Sequence, residues 1–184
     1  FVLRFLTLTQ ISFEYLNFLL ILGSILTFIF SILLIRSYNL KKIILYIVSA
    51  QFGVLLILVA LQLYNAAIFH FFTSIISFVI LSLSFGIISY KLNYEQDIRK
   101  MGYLIIKCPS LFLFILIGLV SLLGIPYFSG YYSNKLIFFQ LSLINKESYF
   151  LIFTYCFFYN FIISYTSFKI LLLVFLGHNN CNIH

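Results

Sequence analysis

Long apolar runs separated by short polar connections make up most of this chain. A run of about 20 apolar residues is long enough to cross the hydrocarbon core of a bilayer as a helix. Four runs reach this length without interruption, and we predict a transmembrane helix in each of them. They lie near Glu14 to Ile35, Ile43 to Tyr64, Ala66 to Tyr90 and Tyr149 to Leu176.

A further apolar segment, Cys108 to Ile144, is interrupted. Its central stretch, GLVSLLGIPYFSGYYSNKLIFFQ, places Pro126, Gly130 and Lys135 where a membrane helix would normally continue. The segment's length suits two half-helices around an unwound middle better than one straight span. Unwound backbone at membrane depth is tolerated where it is buried in protein or lines a watery cavity. We therefore predict one discontinuous helix and about five crossings in total.

Composition supports a membrane location for the whole chain. Hydrophobic residues make up 64% of it and charged residues only 8%, and its mean hydropathy is +1.16. Soluble proteins contain about 25% charged residues, so a soluble chain of this composition would expose a largely apolar surface. We predict an all-α integral membrane protein in which residues 1–184 form a single membrane domain.

The basic residues are distributed unevenly between the two sides that this topology predicts. Seven of the eleven Lys and Arg residues fall in the first and third connections, whereas the opposite side holds only Arg4 and Lys146. The positive-inside rule then places the two basic connections in the cytoplasm or, in an organelle, the matrix. This arrangement requires the interrupted segment to count as a single crossing. The seven residues are Arg36, Lys41, Lys42, Lys91, Arg99, Lys100 and Lys107.

The connection 91–107, KLNYEQDIRKMGYLIIK, is the only long polar stretch of the sequence. We interpret it either as a solvated loop that pairs with anionic lipid headgroups or as a docking surface for neighbouring subunits. Its basic character does not indicate nucleic-acid binding, because it adjoins membrane spans and lacks the interleaved aromatic and glycine pattern of single-strand binders.

Motifs for metal or redox chemistry are weak. Cys108, Cys156 and Cys181 are widely spaced and form no ligand pair, so we interpret them as apolar fillers or incidental thiols. His178, Cys181 and His184 form an H-x-x-C-x-x-H pattern without a visible fourth ligand, and we predict no metal site. The sequence contains no phosphate loop, dinucleotide fingerprint or cysteine cluster for iron and sulfur.

Three stretches of the chain, in order, resemble one protein family. NLKKIILYIVSAQFG (Asn39 to Gly53) resembles the family motif D-I-K-R-V-I-A-Y-S-T-x-S-Q-L-G. The stretch from Ala66 to Gly102 resembles A-x-F-H-L-x-x-H-A-F-F-K-A-L-L-F-L-x-x-G followed by E-Q-D-I-R-K-M-G-G-L, and the interrupted segment resembles G-x-P-F-x-S-G-F-Y-S-K-D. On these motifs the chain is similar to the antiporter-like subunit 5 of the proton-pumping NADH:ubiquinone oxidoreductase, respiratory complex I. The E-Q-D-I-R-K-M-G run favours subunit 5 over the related subunits 2 and 4.

The resemblance covers roughly residues 1 to 140 and the middle to late helices of a longer family protein, which implies a fragment, a split-gene piece or a reduced subunit. It implies an antiporter-like repeat of the membrane arm that contributes to proton translocation coupled to electron transfer from NADH to ubiquinone. The chain would then be an enzyme subunit without a redox centre of its own. The flavin, the iron–sulfur clusters and ubiquinone are expected in other subunits.

The partners implied by the resemblance are other membrane-arm subunits, including a chain that carries the missing subunit 5 helices, together with membrane lipids. No nucleic-acid partner is expected. The implied location is the mitochondrial inner membrane. The abundance of Phe, Tyr, Ile, Asn and Lys, whose codons are AT-rich, also favours an organelle genome.

The resemblance also implies which residues take part in proton transfer. In this family the broken helix carries a lysine at the break, as one of a series of buried titratable residues. Pro126 and Gly130 keep the break here, but the alignment places Asn134 at the lysine position and Lys135 one residue later. A shift of one residue turns a helical side chain by about 100°. Lys135 is therefore interpreted either as a proton carrier on a flexible stem or as an interface residue.

The third predicted helix holds another candidate. His70 matches the first histidine of the family motif, whereas Ser74 replaces the second histidine and Phe78 replaces the lysine. An intramembrane ionisable residue is a functional hypothesis by default, and the alternative for His70 is a hydrogen-bonded packing role.

The start of the second helix matches the family motif in part. Lys41 occupies the family's lysine position, Lys42 replaces its arginine and Asn39 replaces its aspartate. Both lysines are interpreted either as a proton gate or as positive-inside anchors. The proton-path candidates are thus His70, Lys135, Lys41 and Lys42, and no residue is assigned a certain catalytic, cofactor-binding or metal-binding role.

The loss of family lysines at Phe78 and Asn134 leaves a second interpretation open, in which the chain keeps the antiporter shape and supports its neighbours without passing protons. Functions of other classes also stay open. One is a subunit of a multisubunit cation/proton antiporter, which shares these motifs. Another is a small independent channel or an assembly factor.

Overall fold

The computed structural model describes residues 13–143 and 147–177, which form helices joined by short connections. Within this part of the chain, extended structure is limited to an isolated bridge between Asn39 and Asp97. The predicted all-α fold class is therefore confirmed. The elements are α1 (Phe13–Arg36), α2 (Leu40–Ala60), α3 (Tyr64–Lys91), α4 (Leu104–Lys107), α5 (Pro109–Leu123), α6 (Ser129–Ser142) and α7 (Glu147–Ile170), which continues as a π-helical segment (Leu171–Leu176).

Four of the described helices are long and apolar enough to cross a membrane, over Tyr15–Arg36, Leu40–Ala60, Tyr64–Lys91 and Cys156–Leu176. The helix α5 is apolar but has only 15 residues, and α6 has 14. At about 1.5 Å per residue, neither helix alone spans a hydrocarbon core of about 30 Å. Together they supply the length of one further crossing, as predicted for the interrupted segment.

The break between α5 and α6 depends on two glycines. Gly124 follows the end of α5 with φ 72° and ψ 41°, the left-handed conformation that glycine adopts at little cost. Pro126 lies in the break, where it lacks the N–H that a continuing helix needs. Gly130 lies in the first turn of α6, where a β-carbon would overlap the carbonyl oxygen of Ser121. The two half-helices can therefore meet closely only because residue 130 has no side chain.

The connection between α3 and α5 folds onto the connection between α1 and α2. Leu40 donates its backbone N–H to the carbonyl oxygen of Gln96 at 2.9 Å, and Ile98 donates to that of Tyr38 at 2.9 Å. The Ile98 side chain is completely buried at this contact. These bonds place both basic connections on one side of the protein, as the charge distribution predicts. The stretch 91–107, predicted as a loop, also contains the one-turn helix α4.

The end of α7 lies on the same side as these two connections. Lys169 donates from Nζ to the carbonyl oxygens of Ile35 at 3.0 Å and Ser37 at 2.8 Å. These two acceptors belong to the end of α1 and the connection that follows it. The helix α7 therefore returns to the basic side, which is possible only if α5 and α6 together cross the membrane once.

Packing is tight inside the helix assembly and apolar outside it. The helices α1 and α2 approach closely at two small residues, since a β-carbon at Gly23 would lie 2.8 Å from the carbonyl oxygen of Gly53. Outward-facing side chains such as Phe72 and Leu83 are 61% and 64% exposed. An apolar outer face of this extent suits lipid or the apolar surface of another subunit.

Candidate functional site

The most polar region of the assembly's interior is centred on His70 of α3. Its side chain is buried, with Nε2 2.5 Å from Oε1 of Gln51 on α2 and Nδ1 3.5 Å from Oγ of Ser133 on α6. With Gln51 in this orientation, Nε2 must carry a proton, because the amide oxygen can only accept. The second ring nitrogen therefore decides the charge of the ring, and it faces the first turns of the second half-helix.

A series of hydroxyl groups continues from His70 towards α5. Thr73 donates to the carbonyl oxygen of His70 at 3.0 Å, and Ser77 donates to that of Thr73 at 3.0 Å. The hydroxyls of Ser77 and Ser121 are 2.5 Å apart and join α3 to α5. All of these side chains are buried. Hydrogen bonding of this kind allows polar side chains to sit between transmembrane helices without an unpaired group.

A small cavity lies among these side chains. We call it the polar cavity; it is lined by residues of α2, α3, α5 and α6, including Gln51, His70, Thr73, Ser77, Ser121, Ser133 and Asn134. It measures ≈ 10 Å³, about the volume in which one water molecule can be held. A water there has several donors and acceptors within its wall, so the site suits an ordered water.

The structure separates Asn134, which occupies the family's lysine position, from Lys135, the residue that follows it. Asn134 lines the polar cavity, and a β-carbon at Gly124 would lie 2.8 Å from its Nδ2. Lys135 is exposed instead, with Nζ 5.8 Å from the ring centroid of Tyr131. The turn of about 100° between adjacent residues accounts for this difference. His70 and the break are thus brought together with Asn134, but Lys135 is not.

The replaced family positions on α3 face different surroundings. Ser74 lines the polar cavity and also an apolar groove of ≈ 280 Å³ between α2 and α3. Phe78 is half-buried, and it lines the groove but not the polar cavity. The groove is open at the outer surface of the helix assembly. A side chain at position 78 therefore faces lipid or another subunit rather than His70.

Lys41 and Lys42 lie exposed at the basic end of α2. Gln51 is ten residues further along this helix, which corresponds to about 15 Å along its axis. The neighbouring Asn39 accepts a hydrogen bond from the Lys41 backbone N–H at 3.0 Å and donates to Oε1 of Gln96 at 3.2 Å. The replacement of the family's aspartate by Asn39 thus keeps the helix cap. The structure does not bring either lysine to the polar cavity.

An ion pair on the basic side lies within the 91–107 stretch, and its arginine contacts the first connection. Arg99 and Asp97 form an ion pair with a distance of 2.8 Å between Nη2 and Oδ2. The Arg99 side chain lowers the pKa of the Asp97 carboxyl below its ordinary value, and Asp97 raises the pKa of Arg99. Arg99 also lies over the ring of Tyr38, 4.4 Å from its centroid. The family-like E-Q-D-I-R-K run therefore contributes to folding of this side.

Sequence reasoning missed most partners of His70. Its partners Gln51 and Ser133 come from two different helices, and Ser121, which bonds Ser77, comes from a third, so their proximity depends on packing that no single segment shows. A partial signal was present in α3, where His70, Thr73 and Ser77 follow a spacing of three and four residues and so share one helix face.

Metal binding finds no support in the described residues, which contain no group of three His, Cys, Asp or Glu side chains able to hold an ion. The H-x-x-C-x-x-H pattern of His178, Cys181 and His184 lies outside them, as do Arg4 and Lys146. Cys108 and Cys156 are buried free thiols.

Comparison with known proteins agrees with this arrangement. Residues 1–164 match the family described as "NADH:quinone oxidoreductase/Mrp antiporter, TM". The chain is 38% identical over 136 residues to NADH-ubiquinone oxidoreductase chain 5 of Dictyostelium discoideum, which covers 74% of this chain and 20% of that protein. It is 39% identical over 118 residues to chain 5 of Patiria pectinifera, covering 64% and 18%. The chain thus spans about one fifth of the length of these curated relatives.

The fold has a counterpart among solved structures. A chain of the Mrp complex from Dietzia sp. superposes with a TM-score of 0.82 at 20% sequence identity, over 91% of this chain and 31% of that one. This likeness confirms the antiporter-like fold, and the relatives named chain 5 confirm the resemblance to subunit 5. The chain belongs to the NADH:quinone oxidoreductase/Mrp antiporter transmembrane family.

Proposed function

We propose that this chain forms part of the subunit 5 antiporter-like module of NADH:ubiquinone oxidoreductase in the mitochondrial inner membrane, where it contributes to proton translocation. The relatives named chain 5 support this assignment. The observation that carries the proposal is the placement of buried His70 between Gln51 and Ser133, beside a broken helix. A titratable ring with polar partners at membrane depth is what proton transfer requires.

The geometry gives His70 two hydrogen-bonding states. In the neutral ring, Nε2–H donates to Gln51, and Nδ1 accepts from the hydroxyl of Ser133. When Nδ1 takes up a proton, it donates to Ser133 Oγ, and the Ser133 hydroxyl then donates to the carbonyl oxygen of Gly130, 3.0 Å away. Proton uptake by His70 is thus coupled to the rotation of one hydroxyl in the first turn of α6.

The remaining parts of the enzyme belong to other chains in this proposal. The partners are the other membrane-arm subunits, including a chain that carries the rest of the subunit 5 module, and membrane lipids. Electron transfer from NADH to ubiquinone takes place in subunits that hold the flavin and iron–sulfur clusters. Lys135, Lys41 and Lys42 are exposed, so a part for them in proton transfer would require groups of these partners or of the solvent.

A second candidate function is support of neighbouring subunits without proton transfer. It is favoured by Phe78 and Asn134, which occupy positions where the family carries lysines. Neither side chain titrates. The two functions differ in one measurable quantity, the number of protons moved per electron transferred by the complex.

The first experiment establishes the partner complex. Native membrane complexes are separated by size, and the band with NADH dehydrogenase activity is searched by mass spectrometry for a peptide of the Leu92 to Arg99 loop. Its presence is the expected result. Migration of the peptide in a different complex would contradict the assignment and favour an independent antiporter.

The second experiment measures proton pumping in the intact complex with His70→Leu. We expect fewer protons moved per electron, with unchanged NADH oxidation by a soluble acceptor, because the redox centres are elsewhere. Ser82→Ala is the matched control, since Ser82 is exposed on the same helix and bonds only the Val79 carbonyl oxygen in the described residues. Normal pumping by the His70 variant would establish the supporting role instead.

A further inference from the structure

The outer face between α2 and α3 carries a long apolar groove. Its part at the basic end measures ≈ 610 Å³ and is lined by residues that include Lys41, Val48, Phe52 and Gln96. The groove of ≈ 280 Å³ described above shares Val48 and Phe52 with this part and continues to Leu55. We call the two parts together the α2–α3 groove. It follows α2 for about 21 Å, whereas one leaflet of the hydrocarbon core is about 15 Å thick, so a lipid acyl chain fits along it.

The serine hydroxyls in the wall of this groove are bonded within their own helices. Ser49 donates to the carbonyl oxygen of Leu45 at 2.6 Å, and Ser89 donates to that of Gly86 at 2.8 Å. A hydroxyl that donates to its own helix has no donor left for a polar occupant. The neighbouring wall residues Leu45 and Phe52 are apolar and exposed. The groove therefore suits a hydrocarbon chain better than a polar ligand.

Gly86 widens the groove in its basic-end part. It lies within α3, and a β-carbon there would meet no atom within 4 Å. Glycine inside a helix is destabilising relative to alanine, and no close helix contact among the described residues requires it at this position. The space in front of Gly86 is thus open to a group from outside the described part of the chain.

The mouth of the groove at the basic end is cationic. Lys41 is exposed there and forms no ion pair with a described residue. Gln96 also lines the mouth, and its Oε1 accepts a hydrogen bond from Asn39 at 3.2 Å. The N–H groups of the same amide are then left as donors. An ammonium group beside amide donors matches a phosphate, which is anionic and accepts hydrogen bonds.

We propose that the α2–α3 groove binds one anionic phospholipid of the leaflet on the basic side, with its phosphate at Lys41 and Gln96 and an acyl chain along Val48 and Phe52. The apolar length of the groove accounts for the chain, and the single charged end accounts for the headgroup. A transmembrane helix of a partner subunit would fill the apolar part but would bring no phosphate to Lys41. The site does not depend on proton transfer by His70, so it goes beyond the proposed function.

The first test uses the intact complex in vesicles that contain a phospholipid with a photoactivatable diazirine on its acyl chain. The labelled lipid is phosphatidylglycerol or, in parallel, phosphatidylcholine, which has no net charge. Cross-links formed on illumination are located by mass spectrometry and normalised to the total labelling of the complex. We expect phosphatidylglycerol to label α2 between Leu45 and Phe52 about fivefold more than phosphatidylcholine does.

Two neighbouring lysines provide a matched comparison. Lys41→Gln should reduce the labelling of α2 by phosphatidylglycerol about fivefold, because one cation near a membrane surface contributes about that much to the binding of anionic lipid. Lys42→Gln should leave the labelling nearly unchanged, since Lys42 is also exposed but does not line the groove. Equal losses in both variants would overturn the site and indicate general attraction of anionic lipid to the basic side.

A second pair of variants tests the groove itself. Gly86→Phe places a ring in the open space and should reduce the labelling of α2 by fivefold or more. Ile87→Phe is the matched control, because it adds a ring at an exposed position on the same helix that does not line the groove. Both positions face outward, so assembly is expected to persist and is checked on native gels.

Three outcomes would overturn the proposal. They are equal labelling of α2 by the two lipids, labelling that persists in Gly86→Phe, and no labelling of α2 when other surfaces of the complex are labelled. The last would show that another subunit covers the groove. Selective labelling by phosphatidylglycerol that is lost in Lys41→Gln and Gly86→Phe is the result expected. None of these outcomes bears on pumping by the His70 variant, so this site and the proposed function fail separately.

Discussion

The ammonium group of Lys169 lies 3.7 Å from the ring centroid of Tyr38. The residues are far apart in sequence, and the same ammonium donates to the carbonyl oxygens of Ile35 and Ser37. Arg99 contacts Tyr38 as well. The ring of Tyr38 is thus shared by two cations from different elements. This contact joins the end of α7 to the first connection and so helps to fix the position of α7 relative to α1.

Lys169→Met is expected to destabilise the fold. It removes a cation–π contact worth about 0.5–2 kcal/mol and two hydrogen bonds donated by a charged group. Because Lys169 is only half-buried, we expect the free energy of unfolding to fall by about 1–3 kcal/mol. The measurement is unfolding of the purified chain in detergent, with Lys100→Met as control because Lys100 is exposed in the 91–107 stretch. Equal stability of the two variants would show that the Tyr38 contact contributes nothing.

Gly130→Ala is expected to separate the half-helices, because the added methyl overlaps the carbonyl oxygen of Ser121. Overpacking of this kind costs about 1–3 kcal/mol. Gly86→Ala is a matched control: it also adds a methyl to a helix, but no atom lies within 4 Å of the added carbon, so it should be neutral or slightly stabilising. Similar melting temperatures for both variants would contradict the close contact at the break.

Asn134 and Lys135 provide a comparison between adjacent positions. We expect Asn134→Leu to lower proton pumping by the complex, because it removes a polar side chain from the wall of the polar cavity beside His70. We expect Lys135→Met to leave the ratio of protons to electrons unchanged, since Lys135 is exposed away from this cavity. Normal pumping in Asn134→Leu with reduced pumping in Lys135→Met would make Lys135 the proton carrier. A partner subunit would then have to connect Lys135 to His70.

Acid is expected to loosen the turn that Asp97 and Arg99 form within the 91–107 stretch. The pKa of Asp97 is lowered by its hydrogen bond to Arg99, so this contribution to stability is present above the ordinary carboxyl value of about 4 and is lost as the pH falls below it. The effect should be small because Arg99 is exposed. Limited proteolysis of the 91–107 stretch with a protease that is active in acid reports the loosening, and Asp97→Asn should remove its pH dependence. If Asp97→Asn kept the same pH dependence of cleavage, a titratable group other than Asp97 would be responsible.

Much of the architecture follows from local features of the sequence. Apolar length predicts the spans, Pro126 and Gly130 predict the break, and the distribution of Lys and Arg predicts which connections share a side. Helix periodicity also predicts that Asn134 and Lys135 cannot face the same surroundings. Each of these depends on one segment or on a count.

The partners of His70 depend on contacts between segments distant in sequence. Gln51 and Ser133 become its neighbours only after α2, α3 and α6 have packed. Tyr159 of α7 is buried, and its hydroxyl has no hydrogen-bond partner among the described residues. No sequence signal predicts this, because a buried tyrosine and a lipid-facing one look alike in an apolar run. The π-helical segment Leu171–Leu176 has no sequence signal either, since LLLVFL reads as an ordinary apolar helix.

The joint between the first and third connections has a further property. Its hydrogen bonds are made by uncharged groups, namely the backbone bonds of Leu40 and Ile98 and the amide pair of Asn39 and Gln96, and the Arg99 guanidinium adds a contact with the Tyr38 ring. The seven cations of these connections exceed the two carboxylates that pair with Arg99 and Lys100, so the excess positive charge repels across the joint. Added salt shortens the range of that repulsion to below about 10 Å but leaves neutral hydrogen bonds nearly unaffected. Raising the ionic strength should therefore strengthen this joint, the reverse of what an interface built on ion pairs would show.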